Sequence, residues 1–319
     1  MLFLSEDEVQ ELLPMEKALE CVTASFMAQH SGRAVNRSRE RIILPEVSLH
    51  YMAAGLADSN LVGMKIYTIS RAAWRFLVLL YHGSSGELLA ILEADHLGRI
   101  RTGAASGVAT RQMAHPDASR VGVIGTGRQA RTQLQAVAQV RKIDAARAFG
   151  RDRLRQETFT REMTAELGFP VEPADSAEAA VRFGQIVITA TTSSEPVLKG
   201  AWLSPGTHVN AIGANMVTRR ELDDEALDRS AVIAVDTLEQ AREEAGDLIQ
   251  GFAALRRGWD DVLEIHEIVG GSRPGRTSDQ EITLFKSSGI ALWDVAAAGY
   301  VYQQALESGM GRRATFWGE

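Results

Sequence analysis

The chain has 319 residues, 34 Lys+Arg against 41 Asp+Glu, a formal net charge of -7 and 45% hydrophobic residues. That length accommodates about two domains of an ordinary soluble protein. The longest apolar stretch, around Phe76–Tyr81, falls far short of the ~20 residues a bilayer span needs. The acidic balance argues against a general nucleic-acid binder, which needs a basic face. Small acidic ligands stay open, because a few local arginines hold them. The opening MLFLSEDEVQ has no basic residue ahead of its apolar positions, which argues against a secretory signal. With Cys21 alone, an internal disulfide and a Cys-based zinc site are excluded, and a reducing, cytoplasmic setting is expected.

In chain order, Ser5 with Glu8 forms a capping box for a short helix. Pro14 stands at the start of a second helix, Leu19, Val22, Thr23 and Phe26 form its apolar stripe, and Gly32 stands where it stops. From Arg37 the period changes to two: Arg37, Arg39 and Arg41 alternate with Ser38, Glu40 and Ile42 before Pro45. Leu61–Ile69 reads as a strand. Trp74–His82 and Glu87–Glu93, joined by Gly83-Ser84-Ser85-Gly86, read as a hairpin. At Asp95 the pattern turns helical. The run Arg101-Thr102-Gly103-Ala104-Ala105-Ser106-Gly107 has so little bulk that its helix can pack close to a backbone or a ligand.

From Arg120 to about Thr283 short apolar strands alternate with helical stretches: Val121–Gly125, Ala145–Gly150, Gln185–Thr191, His208–Gly213 and Ala231–Asp236. This spacing predicts parallel βαβ units in a doubly wound sheet. The last stretch, Phe285–Ser308, reads as one long Ala-rich helix packing back on the N-terminal domain. The fold class expected is therefore α/β, a Rossmann sheet domain over 119–284 plus an α+β domain over 1–118 completed by 285–319.

The strongest local signal is the strand Val121–Ile124 followed by Gly125-Thr126-Gly127-Arg128-Gln129-Ala130 and a helix. In this G-x-G-x-x-A pattern the first glycine permits a tight turn and the second lets the backbone approach a pyrophosphate. Ala130 allows close helix–strand packing. Strand, turn, helix and the following βαβ series all agree with a dinucleotide site. An NAD enzyme usually has a carboxylate at the end of the next strand. Here that place falls near Gly150, followed by Arg151, with Arg153 and Arg155 close by. The missing acid removes repulsion of a 2′-phosphate and a guanidinium grips one, so NADP(H) is preferred, with NAD(H) open through Asp152.

Lys65 lies mid-strand with an apolar opposite face. Its face lines either a pocket, where the amine can donate a proton, or solvent. Arg101, read as opening its helix, suits a carboxylate, and Arg41 supplies a second donor. No histidine pair has metal-ligand spacing, so no metal is expected. His208, within an apolar strand, reads as a core residue.

Taken together, the chain resembles the ornithine cyclodeaminase/mu-crystallin family from end to end. The matching pieces are Arg41-Ile42-Ile43-Leu44-Pro45, Gly63-Met64-Lys65, Arg101-Thr102-Gly103-Ala104 and the Gly125 turn. Further matches are Val209-Asn210-Ala211-Ile212-Gly213, Arg220-Glu221-Leu222-Asp223, Gly246-Asp247-Leu248 and Phe285-Lys286-Ser287-Ser288-Gly289. The resemblance implies a homodimer and a substrate pocket between two domains. Arg41, Lys65 and Arg101 match the positions that hold the substrate carboxylate and assist proton transfer. Thr102, Thr191 and Ser287 join the Gly125–Ala130 turn, Arg151 and Asp152 as implied cofactor positions. Cyclodeaminases of the family resemble Asn-Ala-Val-Gly-Gly-Asp where this chain has Asn210-Ala211-Ile212-Gly213-Ala214-Asn215. Asn215 cannot accept a proton as that carboxylate does.

The departure points toward an imine-reducing member acting on a small cyclic imino acid such as Δ1-pyrroline-2-carboxylate or Δ1-piperideine-2-carboxylate. An ornithine cyclodeaminase, an alanine-dehydrogenase-like enzyme, a hydroxyproline dehydratase and a non-enzymatic NADPH-dependent small-ligand binder are the alternatives.

Overall fold

The computed structural model describes residues 1–315, so the last four residues of the expected 285–319 segment lie outside the described residues. Two compact units emerge, one of Met1–Ala104 with the segment from Ile290 onward, the other of Ala105–Gly289.

The elements of the first unit begin with β1 (Leu2–Leu4), α1 (Glu6–Leu12), α2 (Met15–His30), β2 (Ala34–Asn36), β3 (Glu40–Ile43) and β4 (Val47–Leu56). They continue with β5 (Leu61–Ser70), β6 (Trp74–His82), β7 (Leu88–Glu93) and α3 (Asp95–Met113). The Ser5 backbone N–H donates to Glu8 Oε2 at 2.9 Å, completing the capping box that starts α1. Gly32 adopts φ +70° just beyond α2, a conformation glycine enters at no steric cost. β4 does not stand out as a strand in the sequence, although Ser48, His50, Met52, Ala54 and Leu56 alternate along it and the last four of these are buried. The alternation begun at Arg37 is broken: residues 37–39 lie between β2 and β3 rather than in one strand.

After the second unit the chain returns with α11 (Ala291–Ser308) and β16 (Arg312–Arg313). The sheet runs β16-β1-β7-β6-β5-β4-β2, with β3 also on β4, and only β1–β7 is parallel. α11 packs on β4, β5 and β6 and against α2. Trp293 and Phe26 meet edge-to-face at 5.6 Å between centroids. Both are fully buried, each contributing about 1.5–3 kcal/mol by leaving water. A Cβ on Gly63 would stand 2.8 Å from Val295 Cγ2, so this glycine lets α11 lie close on β5.

The second unit contains β8 (Arg120–Ile124), α4 (Arg128–Val140), β9 (Ala145–Phe149), α5 (Arg153–Leu167), β10 (Val171–Pro173), α6 (Ala177–Phe183), β11 (Ile186–Thr189) and β12 (His208–Ala211). Next come α7 (Asp224–Arg229), β13 (Ser230–Val235), α8 (Leu238–Glu244), α9 (Gly246–Ala254), β14 (Val262–Glu264), α10 (Ile265–Val269) and β15 (Ile282–Lys286). Their order is β10-β9-β8-β11-β12-β15-β13-β14, with every neighbour parallel. The direction of strand addition reverses between β8 and β11, the switch point where doubly wound sheets bind ligands.

Two expectations change here. Phe285 does not begin the last helix: Ile282–Lys286 is a strand between β12 and β13 with all five residues buried. An apolar run buried on both faces of a parallel sheet has no period of its own, so it merged with the helix that follows. The boundary expected at 118/119 falls instead inside α3, at Ala104/Ala105. His208 is buried, its Nδ1 2.9 Å from Thr283 Oγ1 and its Nε2 3.2 Å from Asn210 Oδ1, a hydrogen-bonded core residue.

Candidate active site

In the first unit, strand pairing arranges a cationic face. The ladder aligns Met52, Lys65 and Val78, then, two residues along, His50, Tyr67 and Phe76. Arg41 pairs with His50, and the Arg39 guanidinium reaches Met52 Sδ at 3.8 Å. Lys65 and Gly63 share the side that meets α11, and Lys65 is only 4% exposed. The face that periodicity left open between pocket and solvent is buried.

A buried ammonium needs compensation. Lys65 Nζ donates to Asp294 Oδ1 at 2.9 Å, and Arg101 Nε donates to the same oxygen at 3.0 Å. Asp294 is fully buried. Lys65 Nζ also lies 5.6 Å from the Phe76 ring centre, and the Arg101 guanidinium 5.4 Å from that of Trp293. Burial pushes the Lys65 amine down to about 8; Asp294 pulls it up, while Arg101 and Arg39 push it down. Burial, helped by Arg41 and Arg39, lowers His50 to about 4, so its ring is neutral near pH 7. Two cations, Lys65 and Arg101, therefore share one carboxylate oxygen, and Arg39 adds a third positive charge near the amine. Among the described residues, Arg101 Nη1 and Asp294 Oδ2 are buried with no hydrogen-bond partner. Donor capacity left over in such a cluster suits an anionic ligand.

The structure thus joins Lys65 and Arg101, and sets Arg41 one row along, beside His50. The expectation that Arg101 opens its helix is corrected. α3 begins at Asp95, and its first turn is already capped, because Glu6 accepts from the Asp95 N–H at 3.0 Å and from the His96 N–H. Arg101 acts as a side chain only. Thr102 Oγ1 donates to the Gly98 carbonyl at 2.8 Å. Asp294, Arg39 and Gly98 were missed. Asp294 carried a readable signal, a lone acid within Ala291-Leu292-Trp293-Asp294-Val295-Ala296, the same anomaly that singled out Lys65.

In the second unit, Gly125 has φ +105°, and a Cβ there would overlap the Ala190 carbonyl. Gly127 is the N-cap of α4 with no side-chain cap, and nothing lies within 4 Å of where its Cβ would stand. No side chain caps the start of α4, the place where a helix N-terminus after a glycine turn takes an anion. Arg128 and Gln129 open the helix, and Ala130 is buried in the core with Val121 and Val123. These features fit a pyrophosphate. A Cβ at Gly150 would stand 2.6 Å from Thr126 Oγ1, so a side chain at the place of the usual acid would have to displace that of Thr126. Arg151 is exposed. Asp152 accepts from the Arg155 N–H at 3.1 Å and caps α5.

The loops after β11 and β12 are tied by one buried carboxylate. Glu221 accepts from the Thr191 N–H at 2.6 Å, the Gly213 N–H at 2.7 Å and Thr189 Oγ1 at 2.9 Å. Asp247 Oδ1 accepts from the Glu221 and Leu222 N–H groups at 2.6 and 2.9 Å. Lys286 Nζ lies 3.2 Å from Asp247 Oδ2 and donates to the Ala214 carbonyl at 2.5 Å. Burial and then the Asp247 charge raise the Glu221 carboxyl. Asn215 follows in the same loop. Ser287 Oγ donates to Asp236 Oδ2 at 3.1 Å. Among the described residues no cluster of His, Cys, Asp or Glu is placed to hold a metal ion, and no helix is long and apolar enough to cross a membrane.

A doubly wound sheet with an open glycine turn, in a chain whose other unit bears a buried lysine among arginines, defines a dinucleotide-dependent oxidoreductase. The chain belongs to the ornithine cyclodeaminase/mu-crystallin family, whose model matches residues 1–309. It is similar to the Δ1-pyrroline-2-carboxylate reductase of Bacillus cereus, 32% identical over 99% of this chain and 100% of that one. It is similar also to the structure of the Thermococcus litoralis Δ1-pyrroline-2-carboxylate reductase in complex with NADH and L-proline. That match has a TM-score of 0.95 and 35% identity over 98% of this chain and all of that one. An archaeal alanine dehydrogenase dimer with bound NAD gives a TM-score of 0.94 and 32% identity, over 99% of each chain.

Proposed function

We propose that the protein reduces small cyclic imino acids of the Δ1-pyrroline-2-carboxylate or Δ1-piperideine-2-carboxylate type to L-amino acids, using NAD(P)H. The observation that carries this reading is the buried Lys65 ammonium held by Asp294 beside Arg101. Arg101 and Arg41 bind the substrate carboxylate through charge-assisted hydrogen bonds. Lys65, titrating near 8, is matched to giving up a proton close to neutral pH. When bound, the reduced nicotinamide supplies the hydride to the imine carbon. The C=N electron pair then goes to nitrogen, which takes the Lys65 proton, and solvent reprotonates the amine. The dry, preorganised charge around Lys65 favours this transfer.

The relatives' names and the amide at Asn215 favour reduction over cyclodeamination. NADPH use is supported by Arg151 and by the engagement of Asp152 as a helix cap; the relatives solved with NADH and NAD make NADH the comparison. A homodimer is supported by one face of the first unit's sheet, where Val35, Ile42 and Val62 are exposed beside half-buried Tyr51, Met64 and Leu79. Apolar surface of that extent suits a second copy, and we place the protein in the cytoplasm.

A spectrophotometric panel of cyclic imines and amino acids with NADH and NADPH tests this. Imine-dependent cofactor oxidation without added ammonia is expected. Strict ammonia dependence would turn the reading toward alanine dehydrogenase, and ammonia release from ornithine without net absorbance change toward cyclodeamination. Cofactor binding with no turnover on any substrate would leave a ligand binder.

A further inference from the structure

We propose that Asp294 is the positioning residue that fixes the Lys65 ammonium against Arg101 and keeps it charged, with Gly98 giving the amine its room. The inference deepens the reading of Lys65 given above and rests on it only for its catalytic consequence.

Four elements converge on the Lys65 amine. α11 presents Asp294, whose Oδ1 accepts from both Lys65 and Arg101. α3 presents Arg101 and, one turn earlier, Gly98. β6 presents the face of Phe76, and the segment before β3 presents Arg39, one of the charges that push the amine down. His50, one row away, is neutral. Asp294 is therefore the anion that offsets two guanidiniums and the loss of solvent. A buried lysine with only cations nearby loses its proton. Two bonds to one oxygen also set the distance between the ammonium and the guanidinium, which geometry-sensitive catalysis requires. A Cβ added at Gly98 would stand 2.6 Å from Lys65 Nζ and 3.7 Å from its Cε. Only the end of a flexible side chain obstructs it, so Gly98→Ala moves the amine and leaves the fold in place.

The sign follows from charge. Removing the carboxylate removes the main attraction for the ammonium, so the amine titrates lower and a smaller fraction is charged at any given pH. The test is a 15N NMR titration of the lysine side chains in the wild type, Asp294→Asn and Gly98→Ala, the Lys65 signal assigned with Lys65→Ala. It is run beside the pH profile of imine reduction and NADH affinity by fluorescence. The Lys65 titration is expected to fall by a unit or more in both variants. The alkaline limb of kcat/KM should move down with it, giving about fivefold or greater loss of activity at pH 8, while NADH affinity stays within twofold. If Asp294→Asn does not fold, Gly98→Ala carries the test alone. An unmoved Lys65 titration in a folded variant overturns the proposal. Normal turnover by Lys65→Ala overturns instead the catalytic reading of Lys65 and leaves the NMR result to decide the role of Asp294.

Discussion

Gly125 lies so close beneath Ala190 that a Cβ at position 125 would overlap the Ala190 carbonyl oxygen, and its φ of +105° is one that only glycine holds without strain. The turn from β8 into α4 therefore depends on it. Gly125→Ala is expected to cost about 1–3 kcal/mol in backbone strain, lowering the melting temperature, and to weaken NADH at least tenfold by calorimetry. Wild-type affinity in this variant would show that the turn does not cradle the pyrophosphate.

Arg39 and Arg41 sit on the same face and both oppose protonation of His50, but Arg39 is also among the charges that lower Lys65. Arg39→Leu should move the alkaline limb of kcat/KM upward, opposite in sign to loss of Asp294, and Arg41→Leu should leave it in place. Arg41→Leu should raise KM for the imino acid about tenfold or more, the worth of a charged hydrogen bond. Coincident pH profiles for the two variants would refute this division of labour.

Lys286 is buried and paired with Asp247 beneath the loops that follow β11 and β12. Removing one partner strands the other charge in the interior, so Lys286→Met is expected to destabilise the fold by about 3–5 kcal/mol in urea denaturation. A loss below 1 kcal/mol would mean that water reaches Asp247.

His208 titrates at about 3 because burial, then the Arg276 charge, opposes its protonated form. The unfolded chain binds that proton near pH 6.5, so the unfolded state takes up more protons between pH 6.5 and 3. Stability from this group is therefore lost as pH falls through that window, by about 1.4 kcal/mol per unit. His208→Gln should flatten the dependence, narrowing the fall between pH 6.5 and 4.5 by about 2–3 kcal/mol. Parallel curves for variant and wild type would assign the acid sensitivity elsewhere.

Val62 is exposed on the outer face of the first unit's sheet. Light scattering is expected to give a dimer for the wild type and a monomer for Val62→Lys, because a charge in an apolar contact has no partner. A variant that stays dimeric would move the contact to another surface.

Local chemistry made much of this protein legible without coordinates. The G-x-G-x-x-A turn, the Ser5 capping box and the 83–86 hairpin each depend on neighbours a few residues apart, and each forms as read. The anomaly of Lys65 was visible because an ammonium in an apolar strand must be satisfied somewhere. Tertiary structure alone decided where. Asp294 lies 229 residues further along the chain, and a lone acid in an apolar helix does not say which cation it answers. The pairing of β3 with β4 brings Arg39 and Arg41 beside Met52 and His50. The strand Ile282–Lys286 became separable from α11 only once neighbours covered both its faces. Periodicity reports which side of an element is apolar; which charge answers which across the core depends on long-range packing that one segment does not encode.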